Sequence, residues 1–421
     1  MTQRHPMTDT AKVDATPVRV NDREQLIYLL TEAAEIEHGL MCSYLYAAWS
    51  LKQHVDEGIT TEQLAAVDRW RGHIHGVAME EMLHLALVSN LLMSIGSPPH
   101  FRRQNFPVLP GYHPSSIVVR LAPFSRATAE HFVYLERPEG VPMEPAPGYE
   151  PPIEYERHSG FNRLTPTAED YDTVGHLYRG IEHGFTELAE RLGEGALFLG
   201  DPKAQVDEAL LSFDGFHAVT DMASAQAAIA TIIEQGEGAR SDAEQSHYAR
   251  FRAIRDEYDI LLRDDPGFVP HRPVLDDPLM LRPIADAAGI QVTARAAARV
   301  LDLANAAYGL MLRLLASGFG VGTTAQRGSE IDSAIEVMSV VKSLAVVLTT
   351  LPAGNDGKTA GMNFHLPRST LALPQREAGP ALLAERAREI AGEIEAAANW
   401  VPAIDPKLAK QLYALAGRLA P

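Results

Sequence analysis

A carboxylate on the apolar face of a helix has to be partnered, and this chain repeats that situation on one helical segment after another. Over residues 22–56 the stripe Leu26, Leu30, Ala33, Glu37, Leu40, Tyr44, Ala48 follows three- and four-residue spacing, which sets Glu37 among apolar side chains. Over 60–96 the stripe Val77, Glu81, His84, Val88, Leu91, Ile95 carries an E-x-x-H pair, whose spacing of three lets both side chains converge on one ion. A third stripe, Tyr171, Val174, Tyr178, Glu182, Phe185, Ala189, Leu192, holds one more glutamate. A fourth, Glu244, His247, Phe251, Ile254, Tyr258, holds a second E-x-x-H. Either E-x-x-H alone arises readily by chance, and Glu80 beside Glu81 suits a solvated face. The two pairs together with two further stripe glutamates form the ligand set of a dinuclear carboxylate centre inside a four-helix bundle.

The order of the segments agrees. After a polar leader (1–20), two proline-free helical stretches end at Gly96-Ser97-Pro98-Pro99 and form an antiparallel pair. Residues 97–166 hold thirteen prolines, a strand-like stretch at 117–121 and a short helix at 127–135. Helical patterns resume over 167–193 and 216–262, the latter interrupted by glycine at 236–239. A short loop, a long crossover and a second helix pair predict an all-α, ferritin-like four-helix bundle over 21–262. A linker (263–292) then leads to an additional C-terminal helical region (293–421), expected to pack on the bundle, with helices near 293–317, 329–351, 379–397 and 406–419.

Composition excludes several partners. Lys plus Arg is 37 against 55 for Asp plus Glu, a net charge of −18 with no basic cluster, which argues against nucleic acid. The single cysteine, Cys42, allows no intrachain disulfide and no Cys-based zinc site, and suits a reducing cytoplasm. The N-terminus lacks an apolar signal core and the apolar run at 343–351 is too short to cross a bilayer, so no membrane association is expected. The sequence leaves a homo-oligomer open.

The expected ligands are Glu37, Glu81, His84, Glu182, Glu244 and His247, with Glu234 and Glu237 as substitutes for Glu244 or as groups behind the ligands. Four carboxylates balance two divalent cations, and carboxylate plus imidazole without thiolate favours iron, with manganese as the alternative. His38 is expected to cap or pair beside Glu37, His73 and His75 to lie on the helix surface, and His54, His100 and His113 to sit in exposed loops. Tyr44 and Tyr178 read as core packing, and are also the first places to look for an oxidisable side chain.

With these residues in hand, the chain resembles the ferritin-like family of iminophenyl-pyruvate dimer synthase, the domain of bacterial bisindole pathway proteins. The likeness is carried by EIEHGLMCSYLYAAWSLK (35–52), EEMLHLALVSNLLMSIGSPPHF (80–101), GHLYRGIEHG (175–184), IIEQGEG (232–238) and SHYARF (246–251). Further on, ANAAYGLMLRLL (304–315) and DGKTAGMNF (356–364) match its downstream region. The resemblance implies a helical ferritin-like domain and, for the best-known and much longer members, oxidative coupling of an imine derived from an aromatic amino acid in secondary metabolism. The resulting expectation is a nonhaem di-iron, O₂-dependent oxidoreductase acting on a small amino-acid-derived metabolite held between the metals and the 97–166 crossover. A dimanganese peroxide-disproportionating enzyme and a nonenzymatic metal-binding protein are the alternatives.

Overall fold

The computed structural model describes residues 18–151, 155, 157, 164–236, 245–281, 289–320, 322–354, 357–368 and 378–420. Its helices are α1 (Arg23–Ser50), α2 (Thr61–Ser94), α3 (Arg126–Leu135), α4 (Val174–Leu192), α5 (Glu194–Leu197), α6 (Met222–Gly236), α7 (His247–Asp264), α8 (Arg295–Gly318), α9 (Thr324–Leu348), α10 (Ala378–Ala398) and α11 (Lys407–Leu419). Polar residues set the starts. Asp22 caps α1 by accepting from Gln25 N, Thr60 and Gln63 form a reciprocal capping box on α2, and Ser125, Thr173 and Ser246 cap α3, α4 and α7.

The pair α1–α2 is an antiparallel hairpin, and α4 on α1 with α6 on α2 closes a four-helix bundle. The helical pattern expected over 216–262 with an interruption at 236–239 is two helices, α6 and α7. Only α6 completes the bundle; α7 leaves it and packs against α3 and α2. The crossover therefore contributes a structural partner of its own. Arg126 at the start of α3 binds both carboxylate oxygens of Asp259 late in α7, at 2.5 and 3.1 Å. Phe132 packs on Phe251 with ring centroids 5.1 Å apart. The two helices run antiparallel, so the end of α3 meets the beginning of α7.

Within the crossover, residues 117–121 form no strand. Their backbone groups are taken by side chains: Ser43 Oγ donates to Arg120 O at 3.0 Å, His131 Nε2 to Val118 O at 2.7 Å, and Leu121 N donates to Asp277 Oδ1 at 2.8 Å. The described residues contain one strand pair, β1 (Pro278–Leu279) with β2 (Ile290–Gln291), parallel, with Pro278 opposite Ile290. On α4, a Cβ at Gly180 would stand 2.5 Å from Val18 and one at Gly184 2.6 Å from Val20, so these glycines let residues 18–20 lie flat on the helix.

Helices α8 and α9 form a second hairpin, crossed by α10, with α11 folded back on α10. This region shares one continuous apolar core with the bundle. By length and composition α2 and α8 could cross a membrane, but 78% and 61% of their most apolar windows are buried inside the fold. Helix α1 is buried on nearly every side, the pattern of a helix at the centre of a large core. One of its faces presents Glu37 towards α4, and another presents His38, Met41 and Trp49 towards α8 and α9.

Candidate metal centre

Five ligand-type side chains converge between α1, α2, the end of α3 and the start of α7. They form two groups, Glu37 with Glu81 and His84, and Glu81 with Glu136 and His247; within each, the ligand atoms lie within 4.8 Å of one another. Glu81 belongs to both and stands between them. All five are buried, the most accessible being Glu136 at 6%.

Helix geometry explains the convergence. Glu81 and His84 share one face of α2 across three residues, and His84 Nδ1 lies 3.2 Å from Glu81 Oε2 and 3.5 Å from Glu37 Oε2. His247 is the first residue of α7, held there by the Ser246 cap, and its Nδ1 lies 3.1 Å from Glu81 Oε1 and 3.5 Å from Glu136 Oε2. The two imidazoles stack with centroids 5.4 Å apart. Each turns Nδ1 inward and anchors Nε2 outward, His84 on Gln235 Oε1 at 3.0 Å and His247 on Glu80 Oε2 at 2.8 Å. Arg250 in turn donates to Glu80. Such outer partners fix ring orientation and keep the inner nitrogen free to ligate. Tyr178 donates to Glu37 and Tyr44 to Glu136, each holding the oxygen that faces away from its histidine.

The electrostatics are those of ligands brought together. Burial and the Glu81 carboxylate push Glu37 up to about 8. Against its own burial, Glu81 is held down to about 2 by hydrogen bonding to Glu37 and by the charge of His247. Glu37 and Glu81 raise His84 to about 10 although burial opposes it. His247 is likewise raised, against burial, by Glu136 and Glu81. Protons thus do the charge-balancing that a cation would do.

The donor set fits a pair of divalent metal ions. His247 Nδ1 is buried between two carboxylate oxygens at 3.1 and 3.5 Å without a well-aligned hydrogen bond to either. A buried nitrogen so placed is costly unless it ligates. Two Glu/Glu/His groups sharing one carboxylate, with oxygen and imidazole donors only, suit iron or manganese.

The structure departs from the expected ligand set in informative ways. It brings Glu37, Glu81, His84 and His247 together. Glu182 belongs to neither group: it is half-buried on α4, and Tyr178, one turn earlier, is the α4 side chain that reaches the site. Glu244 and Glu237 lie outside the described residues, and Glu234 is exposed on α6. Glu136, the residue after α3, supplies the carboxylate that the stripes did not reveal. Its signal was available, because Ala129, Phe132, Val133 and Glu136 continue a three-and-four spacing through the short crossover helix.

Other expectations also shift. His38 meets the Tyr308 hydroxyl on the far side of α1 rather than Glu37, His75 is half-buried, and His113 is buried beside Glu32. The expected substrate volume between the centre and the crossover falls partly on residues 152–154, 156 and 158–163, which lie outside the described residues. The space at the centre is about 20 Å³, lined by Leu135, Val174, Gly175, Ile232 and Ile233 beside the ligands, enough for a water-sized molecule.

The chain is 28% identical over 88% of its length to a dichlorochromopyrrolate synthase of Lentzea aerocolonigenes, covering 39% of that protein. It is 29% identical over 92% of its length to a 2-imino-3-(indol-3-yl)propanoate dimerase of Chromobacterium violaceum, covering 38% of it. The chain thus spans about two fifths of the length of these relatives, whose names match the dimer synthase resemblance of the sequence. A crystal structure of a ferritin-like protein from Caulobacter vibrioides aligns with a TM-score of 0.46 at 17% identity, over 82% of this chain and 100% of that one. The Ferritin-like family model matches residues 30–256, more than half of the chain and all five convergent ligands, and the chain belongs to the Ferritin-like family.

Proposed function

We propose that this protein is a nonhaem dimetal oxidoreductase, with iron as the metal and manganese as the alternative, that uses O₂ to oxidise a small amino-acid-derived metabolite, in the first instance an aromatic amino acid imine. The observation that carries the metal assignment is His247 Nδ1, buried and aimed between Glu81 and Glu136 without a well-aligned hydrogen bond to either. Glu37, Glu81 and His84 would hold one ion, and Glu81, Glu136 and His247 the other. When bound, the metal pair supplies the binding and reduction of O₂.

The chain's own residues set the conditions. Tyr178 and Tyr44 fix the Glu37 and Glu136 carboxylates. The Glu80–Arg250 pair and Gln235 orient the two imidazoles. Leu135, Val174, Ile232 and Ile233 exclude bulk water and keep the free space to the size of a small gas or water molecule. Burial and the neighbouring carboxylates raise the Tyr44 and Tyr178 phenols well above the usual tyrosine range, so each stays a protonated donor to its ligand carboxylate. The substrate class is supported by the names of the two relatives, one a dimerase of an imino-indolyl-propanoate.

The test is metal analysis of protein purified without chelator, followed by oxygen-electrode assays with aromatic amino-acid-derived imines. Two iron ions per chain and substrate-dependent O₂ uptake are expected. Two manganese ions with peroxide breakdown and no O₂ uptake would favour the peroxide reading. Metal without either activity would favour storage, and a folded protein that takes up no transition metal would defeat the proposal.

A further inference from the structure

A sizeable cavity lies on the opposite side of the α1–α2 hairpin from the carboxylate centre. It is a cavity of about 620 Å³ between α1–α2 and α8–α9, and it shares no lining residue with the centre. Pockets of a few hundred to about 1,000 Å³ are the size that takes organic ligands. Its body is apolar and adaptable, built by Met41 and Leu45 from α1, Met82 from α2, Met311 and Leu315 from α8 and Met338 from α9. Methionine is flexible and polarizable, and lets an apolar wall mould to its occupant. Met79 and Ile335 stand at its rim with 49% and 45% exposure, so the cavity communicates with solvent along an apolar lip.

The polar groups are few and segregated. Lys342 and His75 line the cavity together, and Lys342 is near enough to help depress the imidazole, which burial holds down to about 4. His75 Nε2 is buried and has no hydrogen-bond partner. Lys342 is exposed at the cavity mouth and forms no ion pair among the described residues, in a chain of net charge −18. The other charged group of the lining, Asp332, lies ten residues earlier on α9, about 15 Å along the helix. The inner wall carries the neutral pair His38–Tyr308, backed by Cys42 at 3.5 Å from the Tyr308 hydroxyl.

We infer that this cavity is a second ligand site, taking an amphipathic carboxylate whose apolar body lies along the methionine-lined slot and whose acid group is bound by Lys342 and His75. An acid group would pair with the free ammonium and accept from the unpartnered imidazole, satisfying both at once. Aliphatic and aromatic acids share this chemistry. The site does not depend on the function proposed for the carboxylate centre.

The experiment is calorimetric titration of the full chain with octanoate, 2-naphthoate and the neutral 1-octanol. One acid per chain is expected, bound at least about tenfold more tightly than the alcohol, the worth of one charge-assisted hydrogen bond. Preference for octanoate marks an aliphatic occupant and preference for naphthoate an aromatic one, and either supports the site. Lys342→Gln should weaken the acids about tenfold and leave octanol unchanged, whereas Leu315→Trp should weaken all three by filling the slot. Met338→Trp serves the same purpose if Leu315→Trp fails to fold. Glu37→Gln, in the other centre, should leave acid binding intact. The inference is overturned if neither acid binds at low-millimolar concentration, if octanol binds as tightly as octanoate, if Lys342→Gln changes nothing, or if Glu37→Gln abolishes binding.

Discussion

Replacing Glu136 by Gln and, separately, Glu182 by Gln distinguishes the ligand set of the structure from the one the stripes suggest. Glu136 is 6% exposed and its Oε2 lies 3.5 Å from His247 Nδ1, whereas Glu182 is half-buried and belongs to neither convergent group. Loss of a group that merely orients a metal ligand lowers affinity about 10- to 100-fold, so loss of a ligand should lower it by at least the upper figure. At a free metal concentration about 100 times the wild-type Kd, binding stabilises the fold by about 2.7 kcal/mol; a Kd 100-fold weaker leaves about 0.4 kcal/mol. Urea unfolding with and without chelator, together with metal content, reads this directly. Glu136→Gln should lose most of the metal-dependent stability and about one ion, while Glu182→Gln should stay within about 0.5 kcal/mol of wild type in both conditions. The reverse result, full metal stabilisation in Glu136→Gln and its loss in Glu182→Gln, would refute the assignment of the crossover carboxylate to the centre.

Metal-stripped protein should lose stability as pH rises. Glu37, raised to about 8, and His84, raised to about 10, bind protons more tightly folded than unfolded, so their contribution is complete below the unfolded values near 4.3 and 6.5 and is lost as pH rises through 8 and 10. Glu81, held down to about 2, acts oppositely and loses its contribution as pH falls towards 2. Metal binding releases these protons, so the stability gap between loaded and stripped protein should widen from about pH 6 to about pH 9; a narrowing gap would contradict the ligand roles of Glu37 and His84. Tyr178→Phe removes the hydroxyl that fixes Glu37 and should weaken metal binding about 10- to 100-fold with little change in helix content by circular dichroism. Gly184→Val on α4 would set a Cβ within 2.6 Å of Val20 and should displace residues 18–20, costing about 1–3 kcal/mol and exposing a new site to limited proteolysis.

How much of this was legible in the sequence depended on whether a residue's surroundings are periodic. Glu37, Glu81 and His84 sit inside long helices, where three-and-four spacing identifies the buried face whatever the partner helix is. The helical class and the crossover could be read for the same reason. Glu182 misled because α4 buries two faces at once. Tyr178, Ile181, Phe185 and Leu188 form one, and Gly180 with Gly184 forms another under Val18 and Val20, so a glutamate at the edge of the stripe can be half-exposed and still look internal. The break between α6 and α7 was marked by glycine, but a pattern along one chain cannot say that the second half leaves the bundle to lie on the crossover. That choice is made by tertiary pairs, Arg126 with Asp259 and Phe132 with Phe251, between residues more than a hundred positions apart.

These pairings also give the long crossover a role that its proline content does not suggest. Four bundle helices could present Glu37, Glu81 and His84 without it, since those three come from α1 and α2. The second group needs His247 at the start of α7 and Glu136 at the end of α3, and both are carried by elements that depart from the bundle and hold each other antiparallel. If α3 were displaced, Glu136 would leave, Tyr44 would lose its partner and His247 would face Glu81 alone. The two halves of the centre therefore differ in how they are supported: the Glu37–His84 half by the hairpin of the core, the Glu136–His247 half by the crossover. Destabilising the α3–α7 contact, by Asp259→Ala for instance, should weaken the ion at Glu136 and His247 while leaving the other bound, so that metal content falls from two towards one per chain. Loss of both ions together at unchanged helix content would show instead that the shared Glu81 makes the two positions a single cooperative unit.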